Sequence, residues 1–370
     1  FGDRLLFRAD DGVTGGEPYI TDGTIAGTFR LGDIYPGSAS SVAKAFTAFG
    51  NLAVFAANDG TVGEELWVTD GTPAGTALVK DILASGTSSG FPGTFTPYDG
   101  YVLFEATSGS SGNGYELWRT DGTAAGTTMV KDINPGTSNS NPANLTVFNG
   151  LVFFSATNGT GGVGTELWVT DGTETGTVLF ADIYPGSSSS SPSRFTVSGG
   201  KLFFTATTGT GSGGTGVELY VTDGAAPPTL VLDINTTPTT GGGTNSASPN
   251  FLTDFNGTLY FVANDGTSEA LWKSDGTAAG TTLVANPYPG GDPQIEWLTV
   301  VGNTLFFSAT DGVHGPELWK TDGTAAGTVM VKDIFPGPRG SYPDNFWTHG
   351  GKLYFAASDG VSGHELWESD

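Results

Sequence analysis

The sequence predicts an all-β chain, a β-propeller built of four-stranded antiparallel blades. Two observations carry this. One passage recurs eight times, anchored at Glu17, Glu65, Glu116, Glu166, Glu218, Ala270, Glu317 and Glu365, with steps of 48, 51, 50, 52, 52, 47 and 48 residues. A fixed period of this size marks a repeat architecture. Within each copy, short apolar runs alternate with Gly-rich turns, and no segment shows the 3.6-residue period of an amphipathic helix.

Residues 46–82 give the elements in order. Phe46-Thr-Ala-Phe49 is a first short strand, a, closed by a Gly50-Asn51 turn. Leu52–Ala57 is strand b, whose counterparts LVFFSA, KLFFTA and TLFFSA have the apolar, aromatic composition of a buried strand. Asp59-Gly60 opens the next turn and Glu65–Thr69 is strand c. Asp70-Gly71-Thr72 through Gly75 is another turn, where Gly supplies positive φ at little cost. Thr76–Ile82 is strand d. A longer link, such as YPGSSSSSPSR, leads to the next a strand. Three short connections and one long one describe an antiparallel meander, the pattern of a propeller blade.

The strand count has a gap at each end. Eight b and eight c strands are present, against seven a and seven d strands, because Phe1-Gly2 aligns with Phe49-Gly50 and the chain stops at Ser369-Asp370. Eight blades with incomplete terminal blades is the favoured reading, as one domain over residues 1–370. The alternative is seven blades, with the a strand near Phe346 joining the N-terminal strands. That would leave the last b–c hairpin as an open edge.

Composition narrows function. There are 38 acidic and 14 basic residues, a net charge of −24, which repels nucleic acid and anionic membrane. No apolar run is long enough to span a bilayer. Cysteine is absent, which excludes thiol chemistry. A start at Phe1 rather than Met suggests that a signal peptide or upstream region has been removed.

The string Glu-Leu-Trp-x-x-Asp-Gly-Thr at residues 65–72, 116–123, 166–173 and 317–324 resembles the ELWxxDGT repeat family of bacterial proteins. The resemblance covers essentially the whole chain. It implies an exported or surface-associated propeller-like protein and brings no catalytic residues. The first unit departs with Glu17-Pro18-Tyr19. The fifth has Tyr220 for Trp and Pro227-Pro228 in its turn, and the sixth has Ala270 for Glu.

Candidate sites are weighed against structural roles. Trp67, Trp118, Trp168, Trp272, Trp319 and Trp367 read as packing between blades, with sugar stacking as the alternative. Trp297 and Trp347 lie outside the motif, and Trp347 replaces a recurrent Thr as a channel plug. The Asp-Gly-Thr aspartates, such as Asp70, read as Asx-turn acceptors. Pairing strand c with strand d across that turn sets Thr69 against Ala77, Trp67 against Val79, and Glu65 against Asp81. It likewise sets Glu17 against Asp33, Glu116 against Asp132, Glu166 against Asp182, and Glu317 against Asp333, while Glu218 and Asp233 are one residue closer. Opposed like charges are unfavourable. Either a hard cation, most plausibly Ca²⁺, sits between them, or each acid caps loop N–H groups by itself. Both acids vanish together in the sixth unit, to Ala270 and Asn286. Lys80, Lys131 and Lys332 offer compensation in three units.

His314, His349 and His364 have no metal-ligand spacing and join no nucleophile motif. Asn144 and Asn256 match a glycosylation pattern. The expectation is a non-catalytic extracellular or cell-surface scaffold, adhesive in role. It would bind a protein, a polysaccharide or another copy of itself through the variable loops 107–115, 207–217 and 236–249. A lectin is the alternative. A polysaccharide-degrading enzyme using Trp347, His349 and Asp254 is the third reading.

Overall fold

The computed structural model describes residues 1–109, 112–159 and 161–370. It contains thirty strands, and no helix among the described residues. Compactness divides the chain into two units, Phe1–Ser189 and Ser190–Asp370.

The first unit holds four sheets. Sheet one is β1 (Leu5–Asp10), β2 (Gly16–Thr21) and β3 (Phe29–Arg30), and sheet two is β4 (Lys44–Phe49), β5 (Leu52–Asn58), β6 (Glu64–Thr69) and β7 (Ala77–Lys80). Sheet three is β8 (Gly93–Tyr98), β9 (Tyr101–Thr107), β10 (Tyr115–Thr120) and β11 (Thr128–Lys131). Sheet four is β12 (Ala143–Phe148), β13 (Leu151–Ala156), β14 (Glu166–Thr170) and β15 (Val178–Ala181).

The second unit also holds four. Sheet five is β16 (Ser193–Ser198), β17 (Lys201–Thr207), β18 (Val217–Thr222) and β19 (Thr229–Leu232), and sheet six is β20 (Asn250–Phe255), β21 (Thr258–Asn264), β22 (Glu269–Ser274) and β23 (Thr282–Ala285). Sheet seven is β24 (Glu296–Val301), β25 (Thr304–Ala309), β26 (Glu317–Thr321) and β27 (Val329–Lys332). Sheet eight is β28 (Asp344–His349), β29 (Lys352–Ser358) and β30 (His364–Ser369).

The strand count is the one expected. The first sheet lacks its a strand and the last lacks its d strand. β28 pairs with β29 in a sheet of its own, so eight sheets form rather than seven.

The b strands of sheets two to seven are buried on both faces, which is why these runs are almost continuously apolar. In sheet three, Val102 and Phe104 pack on Val54, Leu66 and Val79 of sheet two, while Leu103 packs on Val152 and Phe154 of sheet four. The same interlock joins sheets five to six, six to seven and seven to eight. Trp118, Trp168 and Trp319 close these contacts as buried members, and Trp67, Trp272 and Trp367 as partly buried ones. The repeated tryptophan is therefore a packing residue, and its ring area supplies much of the burial.

Aspartate organises the c–d turn. Asp70 Oδ1 accepts from Thr72 N at 2.9 Å and from Thr72 Oγ1 at 2.7 Å, and Thr72 Oγ1 in turn accepts from Gly75 N at 3.0 Å. Two glycines are needed for different reasons. Gly71 has φ 87°, and a Cβ on Gly75 would lie 2.1 Å from Asp70 Oδ1. The pattern repeats at Asp22, Asp121, Asp171, Asp275 and Asp322, and in all six cases hydrogen bonding to the Thr two residues on, chiefly from its hydroxyl, holds the carboxyl below the usual range. The Asx-turn reading is borne out.

Within each unit, a strands of neighbouring sheets touch: β4 with β8, β8 with β12, β16 with β20, β20 with β24, and β24 with β28. Every a strand carries a bulge at its start. Ala45, Thr94, Asn144, Arg194, Phe251, Trp297 and Asn345 occupy it with φ between 52° and 62°. Side chains with a Cβ are strained there, and no glycine marks the position in the sequence.

Candidate functional site

The acids proposed as metal ligands are best followed from the glutamates. Glu17, Glu65, Glu116, Glu166, Glu218 and Glu317 are fully buried. Each points into the link after strand d. Glu65 Oε2 accepts from Ile82 N at 2.9 Å and Oε1 from Gly90 N at 2.6 Å. Glu116 takes Ile133 N and the N–H and hydroxyl of Ser140. Glu17 takes Ile34, Tyr35 and Ser41 N–H groups, and Glu317 takes Ile334, Phe335 and Ser341. Glu218 takes Ile234 and Ala247, and Glu166 takes Ile183. The glutamate is a clasp. It satisfies amides that the long link would otherwise bury unpaired.

The aspartates turn elsewhere. Asp132 accepts from Asn113 Nδ2, Asp182 from Gly186 N and Asp233 from Thr244 Oγ1, and Asp333 lies 3.8 Å from His314 Nε2. Asp33 is exposed and Asp81 half-buried. The two acids of a pair still repel: Asp81 adds to the burial that pushes the Glu65 carboxyl up to about 7. The glutamates cap backbone N–H groups of the link, while one carboxylate oxygen of Asp81, Asp132, Asp233 and Asp333 is buried without a hydrogen-bond partner among the described residues. Among the described residues no cluster of three or more His, Cys, Asp or Glu is placed to hold a metal ion.

The expected register needs one correction. Leu66 pairs with Lys80, but Trp67 pairs with Leu78 and Val68 with Ala77. A bulge between Leu66 and Trp67 absorbs one residue, so Trp67 does not face Val79 and Thr69 does not face Ala77. The bulge recurs in the sheets that hold β10–β11, β14–β15, β18–β19, β22–β23 and β26–β27. The lysines are also reassigned. Lys80 and Lys131 donate to Thr127 O and Thr177 O in the next sheet, both at 2.7 Å, and Lys332 lies over the Trp367 ring.

Sheet six breaks the pattern as a set. Ala270 removes the acceptor. The two donors go with it, because Pro287 stands where Ile82 stands and Pro293 where Gly90 stands. Proline has no N–H. Asn286 replaces the aspartate and donates to Ser268 Oγ at 2.7 Å. No amide is orphaned by losing the clasp.

The best-formed cavity lies beside this departure, about 500 Å³ in volume. Asn250, Glu269, Asp292, Glu296, Ser308 and Asp344 line it, from neighbouring strands and links of the second unit. No Lys, Arg or His is among its lining residues. Burial, then the charges of Asp292 and Glu296, raise the Glu269 carboxyl above its usual range. Asp292 Oδ1 accepts from Gln294 N, and Asp344 Oδ1 from Asn345 Nδ2. Glu269 and Glu296 have no hydrogen-bond or ion-pair partner among the described residues.

Of the residues singled out as an axial trio, only Trp347 and His349 are seen in contact. Asp254 accepts from Ser198 Oγ, while Trp347, 68 % exposed, stacks on His349 at 6.0 Å. His314 is half-exposed and its Nδ1 donates to Asp311 Oδ2, 2.9 Å away. The loops 207–217 and 236–249 pair with each other through Gly211 and Gly242 and through Thr239 Oγ1 on Thr210 O. In the loop 107–115, Ser110 and Ser111 lie outside the described residues.

Comparison with known proteins follows the fold. No family model and no curated protein matches the sequence. Solved structures do. A prolyl endopeptidase structure, from a study of inter-domain dynamics in catalysis and specificity, aligns with a TM-score of 0.50 at 12 % identity, over 88 % of this chain and 49 % of that one. A puromycin-hydrolyzing peptidase of Mycobacterium tuberculosis gives 0.46 at 12 % identity, over 96 % and 57 %. The β-propeller domain of the Trilobed protease from Pyrococcus furiosus gives 0.42 at 10 % identity, over 89 % and 95 %. The chain is an all-β protein of the β-propeller class. It spans about half the length of the first structures it matches.

These neighbours correct two expectations. The chain was read as a purely non-catalytic scaffold and as no enzyme. A prolyl endopeptidase is among its structural neighbours, so the reading as a purely non-catalytic scaffold and no enzyme is withdrawn.

Proposed function

We propose that this chain is the peptide-handling propeller of a peptidase-type hydrolase, and that the acidic cavity of sheets six to eight is the surface it offers to a peptide. The observation that carries the reading is the cavity itself. It lies where the repeat gives up its clasp, and a departure from the repeat is where function separates from fold. A concave site with a few convergent polar groups is the usual form of a ligand site. The likeness to a prolyl endopeptidase supports the class of ligand, as does the half-length match. An exported or surface location is part of the same reading, supported by the acidic charge and the resemblance to the ELWxxDGT repeat proteins.

The test is equilibrium binding of short fluorescent peptides to the purified chain, with neutral and acidic polysaccharides measured in parallel. Saturable peptide binding that weakens in Glu269→Gln supports the proposal. Polysaccharide binding without peptide binding overturns it.

A further inference from the structure

The repeat contains its own template for what the cavity takes. In sheet two the counterpart of Glu269 is Glu64, and the counterpart of Asn250 is Lys44. Their pairing positions fix this: Lys44 faces Ala56 and Asn250 faces Val262, and each is the first residue of its a strand. Lys44 Nζ lies 3.0 Å from Glu64 Oε1, so the protein supplies an ammonium to that carboxylate. In sheet six the same place holds Asn250, and the ammonium is gone. The next two a strands begin with Glu296 and Asp344, which add carboxylates and no cation.

A second observation is independent of the acids. Ser308 is 4 % exposed, lines the cavity, and its side chain has no hydrogen bond among the described residues. The two counterparts that also carry a hydroxyl, Ser155 and Thr205, are closed off. Ser155 Oγ donates to Ala143 O at 3.2 Å, and Thr205 Oγ1 is held by Ser193. Ser308 is nearly buried and its hydroxyl has no protein partner among the described residues, so what exposure it keeps faces the cavity, where it is placed to hydrogen-bond a ligand. The walls also include Phe251, Ile295 and Tyr342, and aromatic faces suit an organic cation. A cavity of about 500 Å³ is far larger than a bare ion needs.

We propose that this cavity is an ammonium subsite: it takes the primary amine of a peptide, either its amino terminus or a lysine side chain, between Glu269 and Glu296, with Ser308 accepting a further hydrogen bond. The inference rests on the peptide-handling reading and names the group recognised.

The experiment is calorimetric titration of the purified chain with n-butylamine, with a short lysine-containing peptide, with the same peptide fully acetylated on its amines, and with calcium alone. Butylamine and the free peptide are expected to compete. Acetylation, Glu269→Gln and Glu296→Gln are each expected to weaken binding about tenfold or more. Asn250→Lys is the decisive variant, because it copies Lys44. It should fill the site with an internal ammonium, abolish amine binding and leave the chain folded, with a melting midpoint no lower than that of the parent. Equal binding of free and acetylated peptide sinks the ammonium subsite and leaves peptide handling standing. Butylamine binding without peptide binding keeps the subsite and sinks peptide handling. Calcium binding that displaces butylamine, or unchanged amine binding in Asn250→Lys, overturns the inference. No binding of any probe overturns both.

Discussion

Replacing Glu65 by Ala tests the clasp. Its carboxylate is fully buried and accepts from Ile82 N and Gly90 N at 2.9 and 2.6 Å. Removing it leaves two amides buried without partners, at about 1–3 kcal/mol each. Relief of the desolvated charge offsets part of this. The net expected loss is about 2–5 kcal/mol, large against the marginal stability of any domain. Urea unfolding gives the total, and amide hydrogen exchange at Ile82 and Gly90 gives the local effect. Sheet six provides the inverse experiment. Ala270→Glu would put a carboxylate where Pro287 and Pro293 offer no N–H, so it too should destabilise, by several kcal/mol unless the group stays protonated. Loss of less than about 0.5 kcal/mol in Glu65→Ala, or a gain in Ala270→Glu, would refute the donor-and-acceptor logic.

Other outcomes follow from the same contacts. Burial pushes Glu65 and Glu116 up to about 7 and Glu218 up to about 8. The folded chain then binds protons more tightly than the unfolded chain from about pH 4.5 to 8, so stability should fall as pH rises through that window. A melting midpoint that is lower at pH 5.5 than at pH 8 would contradict this. Below about pH 4 the order reverses, because the turn aspartates are held below the usual range and lose their bonds on protonation. Gly75→Ala should be worse than Asp70→Ala in thermal melts, since the new Cβ meets Asp70 Oδ1, and Asp70→Ala should partly rescue it. Excess calcium against chelator should leave the midpoint unchanged, because the clasp oxygens already have backbone donors. A calcium-dependent rise would instead support the paired acids as ion sites.

Much of the architecture is legible because it repeats. Alternation in the b strands, Asp-Gly-Thr turns and the missing terminal strands all follow from residue order. The bulges do not, since Ala45, Thr94 and Phe251 adopt positive φ without any glycine to signal it. One residue absorbed at Leu66–Trp67 was enough to misplace the partners of Trp67 and Thr69. The joint loss at Ala270 and Asn286 is visible in sequence, and its meaning lay in two prolines one link away. The cavity is less legible still. Glu269, Asp292, Glu296, Ser308 and Asp344 come from separate strands and links, and only the sheet register brings them together. Comparing each residue with its counterparts in the other repeats was the available signal, as Lys44 against Asn250 now shows. The repeat carries no catalytic motif, which is why the sequence pointed away from an enzyme, whereas a prolyl endopeptidase is among the structural neighbours.

The most direct measurement is a crystal structure of the chain with a short lysine-containing peptide bound. The account predicts an amine nitrogen about 3 Å from the Glu269 carboxylate, the distance that Lys44 keeps from Glu64, with Ser308 Oγ in reach. A peptide held elsewhere on the chain, with Glu269 and Glu296 facing only solvent, would contradict it.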